Sequence, residues 1–401
     1  MEDVRSLLAE QVNNLRLTEI DELAQYRSFN EPDQFRSTRL VTHVQTDKIA
    51  RLIYTNSGTG ILALASNAIH MLWKWTQSET NPTGKATSNV SPQFVQQVSG
   101  IVMTNDLTNA NPVESVPCFA LSKNDSYLIS ASGGKVSLFN MMTFRTITAF
   151  GSPPPAATYL AFHPIDNNII AVGMDDSTIH IYNVRSDETK TILSGHSKRI
   201  SSLAFSHVLN TLVSVGADAE MILWSTDKWE RMKSTALNFQ PGKTFGAMSN
   251  TQVQFHHNQT HFLAVNETQL AIYDAMGFDC LNQWVVGGSS APISHATFSG
   301  DSQLVYASFL DGALRIFTAP NLQLQCQINP SAYLQPGSPP MFPTVIAAHP
   351  LNPNQFAVGL TDGGVYVFEP LESDGQWGVP PDQQAASSPL PPAIAPDQPQ
   401  G

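Results

Sequence analysis

The most regular feature of the chain is a four-residue ending of apolar, any residue, apolar, aromatic. It recurs as VSLF ending at Phe139, IHIY at Tyr182, MILW at Trp224, LAIY at Tyr273, LRIF at Phe317 and VYVF at Phe368, with a looser copy, IHMLW, at Trp73. From Phe139 onward these aromatic landmarks are 43, 42, 49, 44 and 51 residues apart, close to the roughly 40–45 residues of a four-stranded propeller blade. Each is preceded by a short apolar strand, a turn rich in Asn, Asp, His and Pro, a second apolar strand and a small-residue turn, as in LAFHPIDNNIIAVGMDDSTIHIY. Such segments are too short, too β-branched and too often interrupted by turn residues to be helices. Runs at 146–150, 190–193 and 322–328 supply outer fourth strands. The pattern predicts an all-β fold, a seven-bladed β-propeller over residues 23–370.

The interval from Trp73 to Phe139 is 66 residues, so one connection carries an insertion. It is placed at about 77–115 and, being rich in Asn, Thr, Ser and Gln, is expected to be a mobile surface loop. The last unit lacks an outer strand of its own, and residues 23–29 are assigned to it, so that pairing of the two chain ends closes the ring. Residues 1–22 form a short N-terminal extension, with a helix expected over 4–15 from the spacing of Val4, Leu7, Leu8, Val12 and Leu15. Residues 371–401, Pro- and Gln-rich, are expected to be a disordered tail.

Composition narrows the functions open to such a fold. The chain of 401 residues carries 21 Lys and Arg against 33 Asp and Glu, a net charge of −12, so it offers no positive field to track a phosphate backbone, and direct nucleic-acid binding is not expected. Cys118, Cys280 and Cys326 are far apart, form no Cys-x-x-Cys pair and read as reduced core thiols rather than a disulfide framework or zinc site. No signal peptide or bilayer-length apolar run is present, so neither secretion nor a membrane role is expected, and four Asn-x-Ser/Thr sequons read as chance matches.

The most specific local signal lies in the fourth unit. His196, Ser214, Asp218 and Trp224 have the spacing of the structural tetrad of WD-repeat blades, in which the histidine bridges the carboxylate and the hydroxyl and the hydroxyl meets the indole N–H. The same residue types could make a Ser-His-Asp hydrolase triad, but no Gly-x-Ser-x-Gly elbow presents Ser214. Asp176, Asp311 and Asp362 repeat the turn aspartate without the histidine and read as turn stabilisers. His256, His257 and His261 occupy the turn where other units carry His163-Pro164 and His349-Pro350, which favours a structural role over metal binding. The glycine turn before Lys135 lacks the spacing of a phosphate-binding loop. No catalytic residue, metal or cofactor is assigned, and binding is expected rather than catalysis.

Longer stretches carry a family likeness: LALASNAIHMLWKW at 62–75, VPCFALSKNDSY at 116–127, PPPAATYLAFHP at 153–164, GMDDSTIHIYNVR at 173–185 and INPSAYL at 328–334. With these, the chain resembles the C-terminal WD-repeat propeller of the plant TOPLESS and TOPLESS-related transcriptional corepressors, relatives in function of Groucho-type corepressors. The resemblance implies a nuclear, non-enzymatic scaffold whose partners are transcription regulators and chromatin or corepressor proteins. It also implies that EAR-peptide binding, which belongs to the family's helical LisH/CTLH-type domain, is not expected of this chain. The expected partner-binding rim gathers the loops entering the innermost strands and those between second and third strands, with Lys135, Asp175, Lys198, Arg199 and Glu220 as its candidate residues. An alternative is an adaptor outside transcription, such as a cullin-type ubiquitin-ligase substrate receptor, docking through the Trp-Asp-x-Arg-like stretch Tyr182-Asn183-Val184-Arg185.

Overall fold

The computed structural model describes residues 26–108, 110–111, 115–237, 250–287, 290–334, 341–371 and 375–378. The helix expected over 4–15 and the chain beyond 378 lie outside these residues. Among the described residues no helix is long and apolar enough to cross a membrane.

The strands fall into seven sheets; five are antiparallel and built from consecutive segments of chain, and the last two each add a strand from the N-terminal end. Their innermost strands, Ile49–Tyr54, Cys118–Leu121, Ala157–Phe162, Ile200–Ser206, Gln252–Phe255, Ile293–Phe298 and Pro343–Ala348, contact one another in sequence order, and the last returns to the first. This is the seven-bladed propeller that the spacing of the aromatic endings predicts.

The apolar pattern of the middle strands follows from what covers them. Gly60–Ala65, Ile169–Met174 and Thr211–Gly216 are buried at every position, because both faces of a blade meet a neighbouring blade. The core is accordingly divided into seven apolar clusters, one in each wedge between adjacent blades. Outer strands such as Glu188–Leu193 and Arg231–Ala236 are mostly exposed and correspondingly polar. Burial of apolar area in the wedges, at about 25 cal/mol per Å², is what holds the ring together.

The ends of the chain close the ring differently from the expectation of a closing strand at 23–29. The outer strand of the seventh blade is Arg36–Arg39, antiparallel to Val365–Glu369. Arg27–Phe29 instead adds a fifth strand to the sixth blade, parallel to its outer strand Leu324–Ile328. The reason is the placing of apolar anchors: Phe29, Phe35 and Leu40 are buried, so the chain dips into the wedge at Phe29, returns at Phe35 and leaves the polar RSTR strand on the rim between two buried residues. Arg39 then pairs with Asp362 at 2.7 Å, and Glu369 accepts the Ser88 N–H at 3.1 Å while lying 3.9 Å from Arg36.

The tail also begins later than residue 371. Trp377 is 1% exposed, its indole N–H donates to the Asn354 carbonyl at 2.7 Å, and its ring meets Phe29, Phe35 and Phe356 at centroid distances of 5.9, 6.4 and 5.5 Å. Both ends of the propeller are therefore clasped in one aromatic cluster.

The insertion is likewise packed rather than a free surface loop. Gln93–Phe94 is the outer strand of the first blade, and the turn Val95–Ser99 follows it as a single helical turn. Trp75 donates its indole N–H to the Val90 carbonyl at 2.7 Å. The buried Gln96 amide bonds the backbone of His70 and Leu72 at 3.0 and 3.1 Å, and Thr104 bridges to Ile69. Among the cysteines, Cys118 and Cys326 are buried thiols, whereas Cys280 is exposed, which corrects the reading of all three as core residues.

Candidate interaction rim

The fourth blade brings His196, Ser214, Asp218 and Trp224 into one hydrogen-bonded chain. The Trp224 indole N–H donates to Ser214 Oγ at 2.8 Å, His196 Nε2 lies 2.8 Å from the same oxygen, and Nδ1 lies 3.2 Å from each Asp218 oxygen. With the indole donating to Ser214, the hydroxyl proton is left for Nε2, so the Nδ1–H tautomer donates to Asp218. Burial lowers the His196 pKa below its ordinary value against the opposing pull of Asp218, which keeps the ring neutral. Burial works to raise the Asp218 pKa, but the N–H donors of Ser197 and Glu220 and the His196 ring outweigh it, and the carboxyl sits below its ordinary value.

This arrangement cannot serve as a nucleophilic triad, because Ser214 is fully buried and its oxygen is already held by indole and imidazole. His196, Asp218 and Glu220 also form the one cluster of potential metal ligands among the described residues, but both His196 nitrogens are engaged. What the chain of bonds does is fix a loop. Asp218 accepts the Ser197 N–H at 2.7 Å, and the Ala217 N–H reaches back to the Arg199 carbonyl at 2.9 Å.

The candidate rim residues are not equivalent once placed. Lys198, on that clamped loop, is exposed and its ammonium makes no hydrogen bond or ion pair among the described residues. Arg199 donates to Asn250 Oδ1 at 2.8 Å. Glu220 faces Arg231 at 3.4 Å, and exposed Asp175 accepts the Ala156 N–H at 2.9 Å. Lys135 is half-buried, and its turn lies under the insertion: a Cβ on Gly134 would stand 1.8 Å from the Asp106 carbonyl oxygen and one on Gly133 2.6 Å from Ser115 Cβ. The insertion thus covers the part of the rim that belongs to the second blade.

The remaining polar motifs are structural in place. Asp176, Asp311 and Asp362 accept N–H groups two residues on, from Thr178, Ala313 and Gly364, at 3.1, 2.9 and 2.9 Å. His163 and His349 use Nδ1 to cap their own turns, and His256 does the same for Asn258 at 3.1 Å. In the Tyr182 to Arg185 stretch, the Asn183 carboxamide accepts the Arg185 and Ser186 N–H groups at 2.9 and 3.2 Å, the work of a turn cap, and Arg185 is exposed.

One network had no sequence expectation. His70 is fully buried between the first two blades, with Nδ1 3.0 Å from the Met103 carbonyl and Nε2 2.8 Å from Ser130 Oγ, while Asn105 donates to Ser130 and Ser132 at 3.0 and 2.8 Å. It serves at this wedge the purpose that the tetrad serves within the fourth blade. Its members are scattered over 63 residues of sequence from His70 to Ser132, so no local spacing signals it.

Comparison with known proteins agrees with this architecture. Residues 187–225 match the family model described as WD domain, G-beta repeat. The chain is 58% identical to Protein TOPLESS of Arabidopsis thaliana, with 100% of the chain and 36% of that protein covered. Topless-related protein 1 of the same plant is 57% identical over 100% of the chain and 36% of its own length. Protein TPR3 of rice, Oryza sativa subsp. japonica, is 59% identical over 92% of the chain and 33% of its own length. The chain thus spans about a third of the length of these curated relatives. With identity at this level over 92–100% of its length, the chain belongs to the TOPLESS and TOPLESS-related family, as a WD-repeat propeller corresponding to part of those longer proteins.

Proposed function

We propose that this propeller is a non-enzymatic docking scaffold, the WD-repeat part of a plant transcriptional corepressor acting in the nucleus. Its rim at Lys198 and Arg199 receives peptide segments of transcription regulators or chromatin factors. Family membership supports the scaffold and corepressor reading. For the site, the supporting observation is the exposed, uncommitted Lys198 ammonium on a loop clamped through Asp218. An exposed cation on a clamped loop of a molecule of net charge −12 favours an acidic segment at that point, because the backbone that carries the charge is already ordered.

The test is affinity capture from plant nuclear extract with the full chain, beside a Lys198→Glu/Arg199→Glu variant of matched thermal stability. Transcription or chromatin regulators recovered by the parent and lost from the variant support function and site together. If both recover the same regulators, the site is wrong; recovery of cullin-associated subunits that depends on Arg185 would replace the corepressor reading.

A further inference from the structure

The centre of the ring holds a cavity of about 320 Å³, bounded by innermost strands of six blades, at the small end of the range of about 300–1,000 Å³ typical of ligand sites. Its lining contains one full cation, Arg51, and no Asp or Glu, although acidic residues outnumber basic ones by 33 to 21 in the chain. Arg51 has no carboxylate partner among the described residues. Its guanidinium spends one donor on the Ala50 carbonyl at 3.0 Å and lies 6.0 Å from the Tyr159 ring centroid, which leaves most of its five donors unclaimed.

A second, separate observation comes from the same lining. His295 lines it, and its Nδ1 is shielded from solvent with no hydrogen-bond partner, a condition that costs about 1–3 kcal/mol unless something completes it. Gln254, also in the lining, is held in place because its carboxamide oxygen accepts from Thr297 Oγ1 and the Phe298 N–H, each at 2.9 Å; its amide donors have no protein acceptor among the described residues. A guanidinium, an orphaned imidazole nitrogen and a fixed amide thus border one small space without a negative group between them.

We propose that the central channel is a binding site for a small soluble oxyanion, a carboxylate or phosphate compound, held by Arg51 and completed by His295 and Gln254. A guanidinium fork matches both anion types in bidentate geometry, so the chemistry that recognises them is shared. The site is independent of the rim at Lys198, and the two fail separately.

The experiment is calorimetric titration of the full chain with inorganic phosphate and with citrate, at constant ionic strength, together with NMR of the histidine ring resonances, His295 being assigned through His295→Gln. The expected result is saturable one-to-one binding of at least one of the two anions, a shift of the His295 resonance on saturation, and affinity weakened at least tenfold in Arg51→Met but unchanged in Lys198→Glu/Arg199→Glu. Which anion binds separates the phosphate from the carboxylate source. Absence of saturable binding and of any His295 shift with both anions overturns the proposal, as does equal affinity in folded Arg51→Met. Should that variant not fold, the His295 resonance of the parent decides alone.

Discussion

Replacing Trp377 by Ala tests whether the extreme C-terminal end of the described chain is part of the propeller's core. The indole is 1% exposed and shares a cluster with Phe29 and Phe35 from the N-terminal segment and Phe356 from the seventh blade. Deleting a buried aromatic ring of this kind costs about 3–5 kcal/mol, the upper part of the range applying where neighbours cannot collapse into the space. Here they are anchored: Arg27–Phe29 and Arg36–Arg39 are held by strand pairing on either side. The lost indole N–H adds about 1 kcal/mol, since the Asn354 carbonyl loses its donor. Trp377→Phe keeps ring packing and loses the hydrogen bond, so about 1–2 kcal/mol is expected. Guanidinium unfolding at fixed pH reads these values from the midpoint, provided the denaturant slope is unchanged. A truncation ending at 374 should lose as much as Trp377→Ala, and one ending at 378 nothing. Truncation at 374 that leaves stability within about 0.5 kcal/mol of the parent would refute the clasp.

Two further outcomes follow from groups buried elsewhere. Burial holds His70 and His349 to a pKa of about 4, below the ordinary value near 6.5, so the unfolded chain takes up protons first as pH falls. Stability is therefore fully present above about pH 6.5 and lost on the way down to about 4, on the order of 2 kcal/mol per histidine by pH 4.5; an unchanged denaturant midpoint between those pH values contradicts this, and His70→Gln/His349→Asn should flatten the loss. Gly134→Ala would drive a methyl into the Asp106 carbonyl and is expected to cost about 1–3 kcal/mol with faster amide exchange over 103–108, whereas Gly100→Ala, which meets nothing within 4 Å at φ +67°, should cost about 1 kcal/mol of backbone strain without disturbing that segment.

The parts of this molecule that can be read from sequence are those whose burial imposes a pattern. A middle strand such as Thr211–Gly216, buried on both faces, has to be written in apolar and small residues, and its turn in glycine or aspartate, so six of the seven units announce themselves. An outer strand is under no such pressure. Arg36–Arg39, with a partly exposed RSTR sequence, carries no strand signature, while the segment ending at Phe29 does carry apolar residues; pattern alone therefore moves the closing strand to the wrong side of the Pro32–Gln34 turn. Trp377 was hidden for the same reason, as a single apolar residue at the edge of a Pro-rich run.

The rim divides along similar lines. The tetrad is legible because its four members sit in one blade at spacings that strand register fixes: Ser214 lies two positions along its strand from Leu212, which is opposite Trp224. Which charges are left over for a partner is not legible, because that depends on neighbours remote in sequence. Arg199 is engaged by Asn250 across 51 residues, and the turn of Lys135 is covered by Asp106 and Ser115. Glu220 is drawn towards Arg231 of the adjacent strand. Lys198 escapes all of these because the tetrad turns the polar groups around it inward: Asp218 consumes the Ser197 N–H, the Glu220 N–H and the His196 ring. The same bonds that make the fourth blade recognisable thus leave one rigidly based cation facing outward, and this connection between a structural motif and an available charge is what places the proposed docking point in the fourth blade.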